Sequence, residues 1–214
     1  MSDKPIDADC AGKLTILPGE RVDELQQAGL RILQKEQGFR FGMDAVLLSS
    51  FVRAESRDRC ADFGTGTGIL PLLLAGMGRA KSVDAFEIQP DMANMARRSV
   101  LLNGLEHIIR IHALPVESAD EVLAPGSIDV IVCNPPYGER LSSSEEVKKI
   151  YRDFSRAFFA LPDWSGYILT AFPEFERAFS RRANAVKRLS NANLPCGLYC
   201  YFGKKPFKEN VFIK

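Results

Sequence analysis

Short, mostly apolar runs alternate along this chain with longer amphipathic ones. The runs Arg59–Phe63, Ser82–Phe86, His107–Ile111, Ile128–Cys133 and Tyr167–Thr170 predict buried strands. Between them, Ile69–Gly76 predicts a helix. So does Pro90–Leu102, with Met92, Met95, Ala96 and Val100 on its dry side and Arg97 and Arg98 on its wet side. Glu117–Leu123 and Phe172–Phe179 predict short helices. Ser142–Glu146 caps a long one through Ile150, Phe154, Ala157, Phe158 and Leu161. Ala185–Leu189 and Leu198–Phe202 read as a closing pair joined by Asn191–Gly197. Strands that alternate with helices imply a parallel sheet, into which the last hairpin inserts one antiparallel strand. The expected fold is a doubly wound α/β domain with a mostly parallel seven-stranded sheet.

The front of the chain is patterned differently. Met1–Gly12 reads as a disordered lead-in. Leu14–Leu17, closed by Pro18-Gly19, predicts an edge strand and turn, and Leu30–Leu33 reads the same way. Gly38–Asp44 then opens an apolar helix over Ala45–Val52, which Asp44 is placed to cap. No internal repeat or low-complexity segment interrupts this order.

Composition narrows the picture modestly. A hydrophobic share of 46% and a charged share of 26% are those of an ordinary globular protein. A net charge of +1 supplies no global field for nucleic acid, so any basic footprint must be local. No run approaches a membrane span, and the polar start Met1–Pro5 lacks a signal-peptide apolar region. Five irregularly spaced cysteines point to reduced thiols and a cytoplasmic location. Cys196 and Cys200 are not expected to bind metal, since only His107 and His112 exist to complete a site. Cys133 reads as a core thiol, with no histidine beside it.

Two stretches carry candidate chemistry. Asp62-Phe63-Gly64-Thr65-Gly66-Thr67-Gly68 joins a strand to a helix, and its glycines let backbone approach a ligand that a Cβ would repel. A dinucleotide fold wants a glycine where this chain has Ile69, and a P-loop wants Gly-Lys-Ser/Thr. The acid Asp62 in this turn favours a ligand with a cationic amine over a pyrophosphate. The next strand ends in Glu87, about 20 residues on, where an acid can accept both ribose hydroxyls. Glycines, Asp62 and Glu87 in register point to an adenosine-type cofactor.

The second stretch is Asn134-Pro135-Pro136-Tyr137. Two prolines end the strand ladder and send the chain out at the carboxyl edge of the sheet, where open α/β sheets bind ligands. The Asn134 oxygen and a proline carbonyl can each accept one N–H of an exocyclic amine, and Tyr137 can stack on its ring. Standing alone, the same residues make a proline turn with a packing tyrosine.

Together these motifs resemble the class I S-adenosylmethionine-dependent methyltransferases, over nearly the whole chain from about Leu30. The resemblance divides the chain into residues 1–29, a lead-in with edge elements, and 30–214, a methyltransferase domain. It implies S-adenosylmethionine as cofactor, held by Phe41, Asp44, Asp62, Gly64, Thr65, Gly66, Gly68, Glu87, Ile88 and Asn134. It implies Asn134, Pro135 and Tyr137 as catalytic residues, with Pro136, Tyr137 and Arg140 on the substrate. An acidic residue common in that family after the third strand is replaced here by His112-Ala113-Leu114-Pro115, which leaves the cofactor adenine contact to backbone groups.

The front half, Leu30–Gln34 and Gly38–Leu48, is similar to bacterial tRNA(Val) adenine-N6 methyltransferases, in which this segment folds over the cofactor. The back half, Asn134–Leu141 and Tyr167–Thr170 with the link into Leu198-Tyr199, is similar to rRNA guanine-N2 methyltransferases. The expected substrate is therefore a base amine in RNA, adenine in tRNA ahead of guanine in rRNA, and a monomer is favoured. A glutamine amide of a protein and a non-catalytic RNA-binding module are the rival readings. A cysteine-dependent cytosine methyltransferase is rejected, because Cys133 lies on the strand. Arg140, Lys148, Lys149, Arg152, Arg181, Arg182, Lys187 and Arg188 form either a phosphate-binding rim or solvated faces, and Lys204–Lys208 adds a basic tail.

Overall fold

The computed structural model describes residues 15–37, 43–135, 144–191 and 194–203. Seven strands form the main sheet: β3 (Arg59–Phe63), β4 (Ser82–Phe86), β5 (Ile109–His112), β6 (Val130–Cys133), β7 (Ser165–Thr170), β8 (Ala185–Asn191) and β9 (Leu194–Tyr201). Their spatial order is β5-β4-β3-β6-β7-β9-β8. All run parallel except β9, which inserts antiparallel between β7 and β8. The expected seven-stranded, doubly wound sheet is therefore the one observed.

Helices cover both faces. On one lie α1 (Met43–Phe51), α2 (Ile69–Gly76) and α3 (Pro90–Leu102), over Cys60, Val83, Val132, Leu169 and Leu198. On the other lie α4 (Ala119–Val122), α5 (Ser144–Ala160) and α6 (Phe175–Ala178), over Phe63, Phe86, Ile131, Cys133 and Ile168. Strand residues of opposite parity feed the two cores, as the pleat requires. The second core is aromatic-rich: Phe158 meets Phe63, Trp164 and Phe179 edge-on at 5.0–5.4 Å between ring centres.

Four expectations are corrected: Arg98, expected on the wet side of α3, is buried against Glu20, and three concern the bounds of elements. Of the strand expected over Leu14–Leu17, Leu14 lies outside the described residues and 15–17 are irregular; the strand follows the Pro18-Gly19 turn as β1 (Glu20–Glu24). β1 pairs antiparallel with β2 (Arg31–Lys35). This strand, Glu-Arg-Val-Asp-Glu, has no apolar run to betray it, because its stability comes from docking on α3. Arg98 binds Glu20 through both nitrogens at 2.5 Å, with both side chains buried, and Ser99 Oγ accepts the Leu33 N–H at 2.9 Å.

The second boundary correction concerns Asn191–Gly197, expected as a link between strands. The pairing of β8 with β9 instead continues out to Asn191 and Leu194. Pro195 is tolerated there because β7 pairs with β9 only as far as Gly197, so no neighbour on that side requires an N–H. Third, α1 opens at Met43 rather than Ala45. Asp44 then lies inside the first turn, where it accepts the Ala45 N–H at 3.1 Å. Phe41, Pro136, Tyr137, Arg140, Met1–Gly12 and Lys204–Lys208 lie outside the described residues.

Candidate active site

The chain steps outward from β3 through β4 to β5, then returns to β6 on the other side of β3. Between β3 and β6 lies the switch point at which such sheets bind ligands. Phe63 pairs with Phe86 on one side and Cys133 on the other. Gly64, Glu87 and Asn134 are the next residues of the three strands. They leave the sheet at one level, side by side.

The glycine turn is pinned from below: the Gly64 and Thr65 N–H groups both donate to the Phe86 carbonyl, at 3.0 and 2.9 Å. Gly68, at φ +91°, starts α2, and a Cβ there would come within 3.2 Å of Ala96 on α3. Glu87 closes the turn from the side. Its Oε2 accepts the Gly66 N–H at 2.8 Å and its Oε1 accepts the Gln89 N–H at 2.9 Å. The Glu87 backbone N–H donates to the His112 carbonyl at 3.0 Å, which ties β4 to β5 just before Ala113-Leu114-Pro115.

A cleft of about 550 Å³ opens over these strand ends. Gly64, Gly66, Glu87, Ile88 and Asn134, all expected site residues, line it together. Asp62 and Thr65 are buried at the foot of the glycine turn, while Gly68 forms the start of α2 and Pro135 is buried beside Asn134. Asp44 lies in α1 and is not part of the described lining.

The structure adds wall residues that sequence reasoning missed. Met92 comes from α3, Val116 and Glu117 from the turn after β5, and Ile150, Asp153 and Phe154 from α5. Ile150 and Phe154 were legible only as the apolar face of a helix. Nothing in the sequence says that the top of that face overhangs a cleft.

Three buried polar groups here lack hydrogen-bond partners among the described residues: both Asp62 carboxylate oxygens, the Thr65 hydroxyl and the Asn134 Oδ1. Burial pushes the Asp62 carboxyl up to about 7; the nearby Thr65 hydroxyl opposes this and the negative charge of Glu87 adds to it. Such orphans are rare away from ligand sites. An unpaired acid, a second acid with lone pairs to spare and a glycine-rich turn whose threonines are buried suit a ligand with a cationic amine and a ribose diol. The residues fit S-adenosylmethionine.

Residues 73–199 match the family model of the RMKL-like methyltransferase domain (UPF0020). The chain belongs to this family. The enzyme class and methyl donor implied by the motifs, a methyltransferase using S-adenosylmethionine, agree with it. YpsC of Bacillus subtilis, whose name classes it with RNA methyltransferases, is 33% identical over 58% of this chain and 31% of its own length.

A ribosomal RNA large subunit methyltransferase K/L from Desulfotalea psychrophila is 29% identical over 55% of this chain and 16% of its own. A tRNA1(Val) (adenine(37)-N6)-methyltransferase from Christiangramia forsetii is 31% identical over 60% and 53%. The chain thus spans between about a sixth and about half of these relatives. Among solved structures, SMU.472, a complex with SAH, superposes with a TM-score of 0.65 at 22% identity over 77% of this chain and 53% of its own. TrmN from Thermus thermophilus gives 0.63 at 23% over 74% and 48%. Both share the fold.

Among the described residues, no cluster of His, Cys, Asp or Glu could hold a metal, and no helix is long and apolar enough to cross a membrane. Cys133 lies in the sheet, where its thiol donates to the Phe63 carbonyl at 3.1 Å. Burial, with the nearby Asp62 carboxyl, raises it well above the ordinary thiol value, away from a nucleophile's range.

Proposed function

We propose that this protein methylates the exocyclic amine of a base in RNA, N6 of adenine in tRNA being the first candidate. The observation that carries the proposal is the Asn134 Oδ1, a buried acceptor with no partner among the described residues, at the level of the glycine turn and Glu87. S-adenosylmethionine supplies an electrophilic methyl on a sulfonium centre. The residues of this chain supply position. Asp62 holds the cationic amine of the cofactor and Glu87 its ribose, with Ile88 against the adenine.

An aromatic amine is a weak nucleophile because its lone pair is conjugated into the ring. Asn134 Oδ1 and the Pro135 carbonyl, each accepting one N–H, draw the nitrogen toward a tetrahedral shape and free the lone pair. The amine becomes strongly acidic only after methylation, so no strong base is required, and the surplus proton passes to solvent. Tyr137 and Pro136 hold the flipped base and Arg140 its phosphate, as expected from the sequence. Asp44 and Phe41 complete the cofactor site from the front of the chain, within the domain proposed to run over 30–214.

One observation favours a second reading, N2 of guanine in rRNA: the matching family is RMKL-like, and relatives bear the K/L name of the large ribosomal subunit. The test incubates the protein with tritiated S-adenosylmethionine and, in parallel, the total RNA and the total protein of a strain lacking the gene, then separates the labelled nucleosides and the protein fraction. Label in N6-methyladenosine is expected. Label in N2-methylguanosine transfers the assignment to the second reading. Label confined to a protein fraction overturns both and points to a glutamine amide.

A further inference from the structure

α5 carries more than the cleft wall. Its inner face, with Val147, Tyr151, Phe154, Ala157 and Phe158, is buried in the aromatic core. Its outer face exposes Lys149, Arg152 and Arg156. Lys149 lines the same cleft as Asn134, so the outer face begins at the site itself.

Lys148, Arg152 and Arg156 follow at intervals of four and lie in one row along the helix. Like charges at that spacing work against a helix, and helix stability alone favours acids there. Glu145 pairs with Lys148 at 3.0 Å and Asp153 with Arg156 at 3.4 Å. Among the described residues neither Lys149 nor Arg152 has an ion pair. α5 carries four cations, Lys148, Lys149, Arg152 and Arg156, against three acids, Glu145, Glu146 and Asp153, so what marks this face is the alignment of its cations and not a large excess of charge.

The row ends on a platform. The Arg181 guanidinium sits 4.9 Å over the ring of Phe159, itself partly exposed at the end of α5. The Arg181 carbonyl accepts the Tyr201 hydroxyl at 3.1 Å, which anchors that turn to the sheet. From Lys149 to Phe159 the helix rises about 15 Å, room for roughly four stacked nucleotides.

We propose that the outer face of α5, continued by Arg181, is the track on which the RNA backbone leaves the Asn134 cleft. The inference rests on the RNA reading above. Exposed cations, spaced along a line that starts at the reacting position, complement a phosphate backbone, and an exposed aromatic capped by a guanidinium complements a base at its end.

The test measures fluorescence anisotropy of a fluorescein-labelled, unmodified tRNA transcript at several salt concentrations. It compares the wild-type chain, the double variant Arg152→Glu/Arg156→Glu, the milder Arg152→Gln/Arg156→Gln, and Lys81→Glu, an exposed cation just before β4. The charge-reversed protein is expected to bind about tenfold or more weakly. Its plot of log affinity against log salt should be shallower by about 1.4, at about 0.7 for each single-stranded phosphate no longer neutralised. The glutamine variant should fall between, Lys81→Glu should match wild type, and all four should bind SAH equally, which reports an intact fold. Wild-type affinity and salt slope in the charge-reversed protein overturn the track while leaving the RNA reading in place. A wild-type chain that binds SAH but no RNA overturns the RNA reading itself, and with it the track; loss of protein-fraction labelling in the variant then marks this face as a protein-docking surface.

Discussion

Glu87 accepts the Gly66 backbone N–H at 2.8 Å, so the acid expected to read the ribose also sets the shape of the glycine turn. A carboxylate offers about four acceptor positions, and two of those on Glu87 are committed to the Gly66 and Gln89 N–H groups. The remaining lone pairs belong to a side chain that lines the cleft and is held in place by those two bonds.

Glu87→Gln should therefore damage the turn and the cofactor site together. A neutral amide keeps one acceptor and turns an NH₂ toward one of the two backbone donors. SAH affinity is expected to fall about 10- to 100-fold, or about 1.4–2.8 kcal/mol. The melting temperature should drop on the order of 5 °C. Calorimetry and thermal unfolding on the same sample check both, and an unchanged melting temperature contradicts the role of Glu87 in holding the turn.

Asp62 gives cofactor binding a pH dependence. Its folded-state value of about 7 lies above that of an unfolded carboxylate, so in the window between them the folded chain keeps a proton the unfolded chain has lost. Without ligand, stability falls as pH rises through that window. A cationic amine demands the ionised form, so SAH affinity should weaken by up to about tenfold per pH unit below about 7. Asp62→Asn should abolish that slope. It should also raise the stability of the free protein at pH 8 by on the order of 1–3 kcal/mol. Parallel pH profiles for the two proteins refute this assignment.

Asn134→Ala should separate chemistry from binding. Methyl transfer is expected to slow about a hundred- to a thousandfold, the cost of removing one aligned polar contact at a reacting centre. SAH affinity should change less than about fivefold. The buried Oδ1 has no hydrogen bond among the described residues, so thermal stability should hold or rise. Single-turnover rates with and without saturating RNA locate the defect, and a defect confined to SAH binding reassigns Asn134.

Cys133→Ala tests the rejected thiol chemistry. The Sγ is buried in the sheet and donates to the Phe63 carbonyl, so alanine should cost about 1 kcal/mol and leave turnover within about twofold. A hundredfold loss of turnover in a folded variant would restore Cys133 as a nucleophile.

Legibility followed the source of each element's stability. α2 and α3 begin and end where the sequence places them, because glycines, a proline and apolar spacing are local signals. β1 escaped notice because Glu20 and its neighbours are held by Arg98, a residue 78 positions away. The extension of β8 and β9 into Asn191–Gly197 escaped for a related reason: Pro195 is harmful in a central strand and tolerated only beyond the reach of β7.

The sequence by itself determined the sheet, its one reversed strand and the chemical identity of the cleft's main residues. Those depend on hydrophobic period and on residue type, which a linear chain displays. Tertiary structure alone decided that Gly64, Glu87 and Asn134 stand at one level, and that α5 overhangs them with Phe154 inward and Arg152 outward. It also decided that Asp62 is buried with no hydrogen-bond partner among the described residues. Register and burial are properties of neighbours brought together from distant parts of the chain, so no single segment contains them.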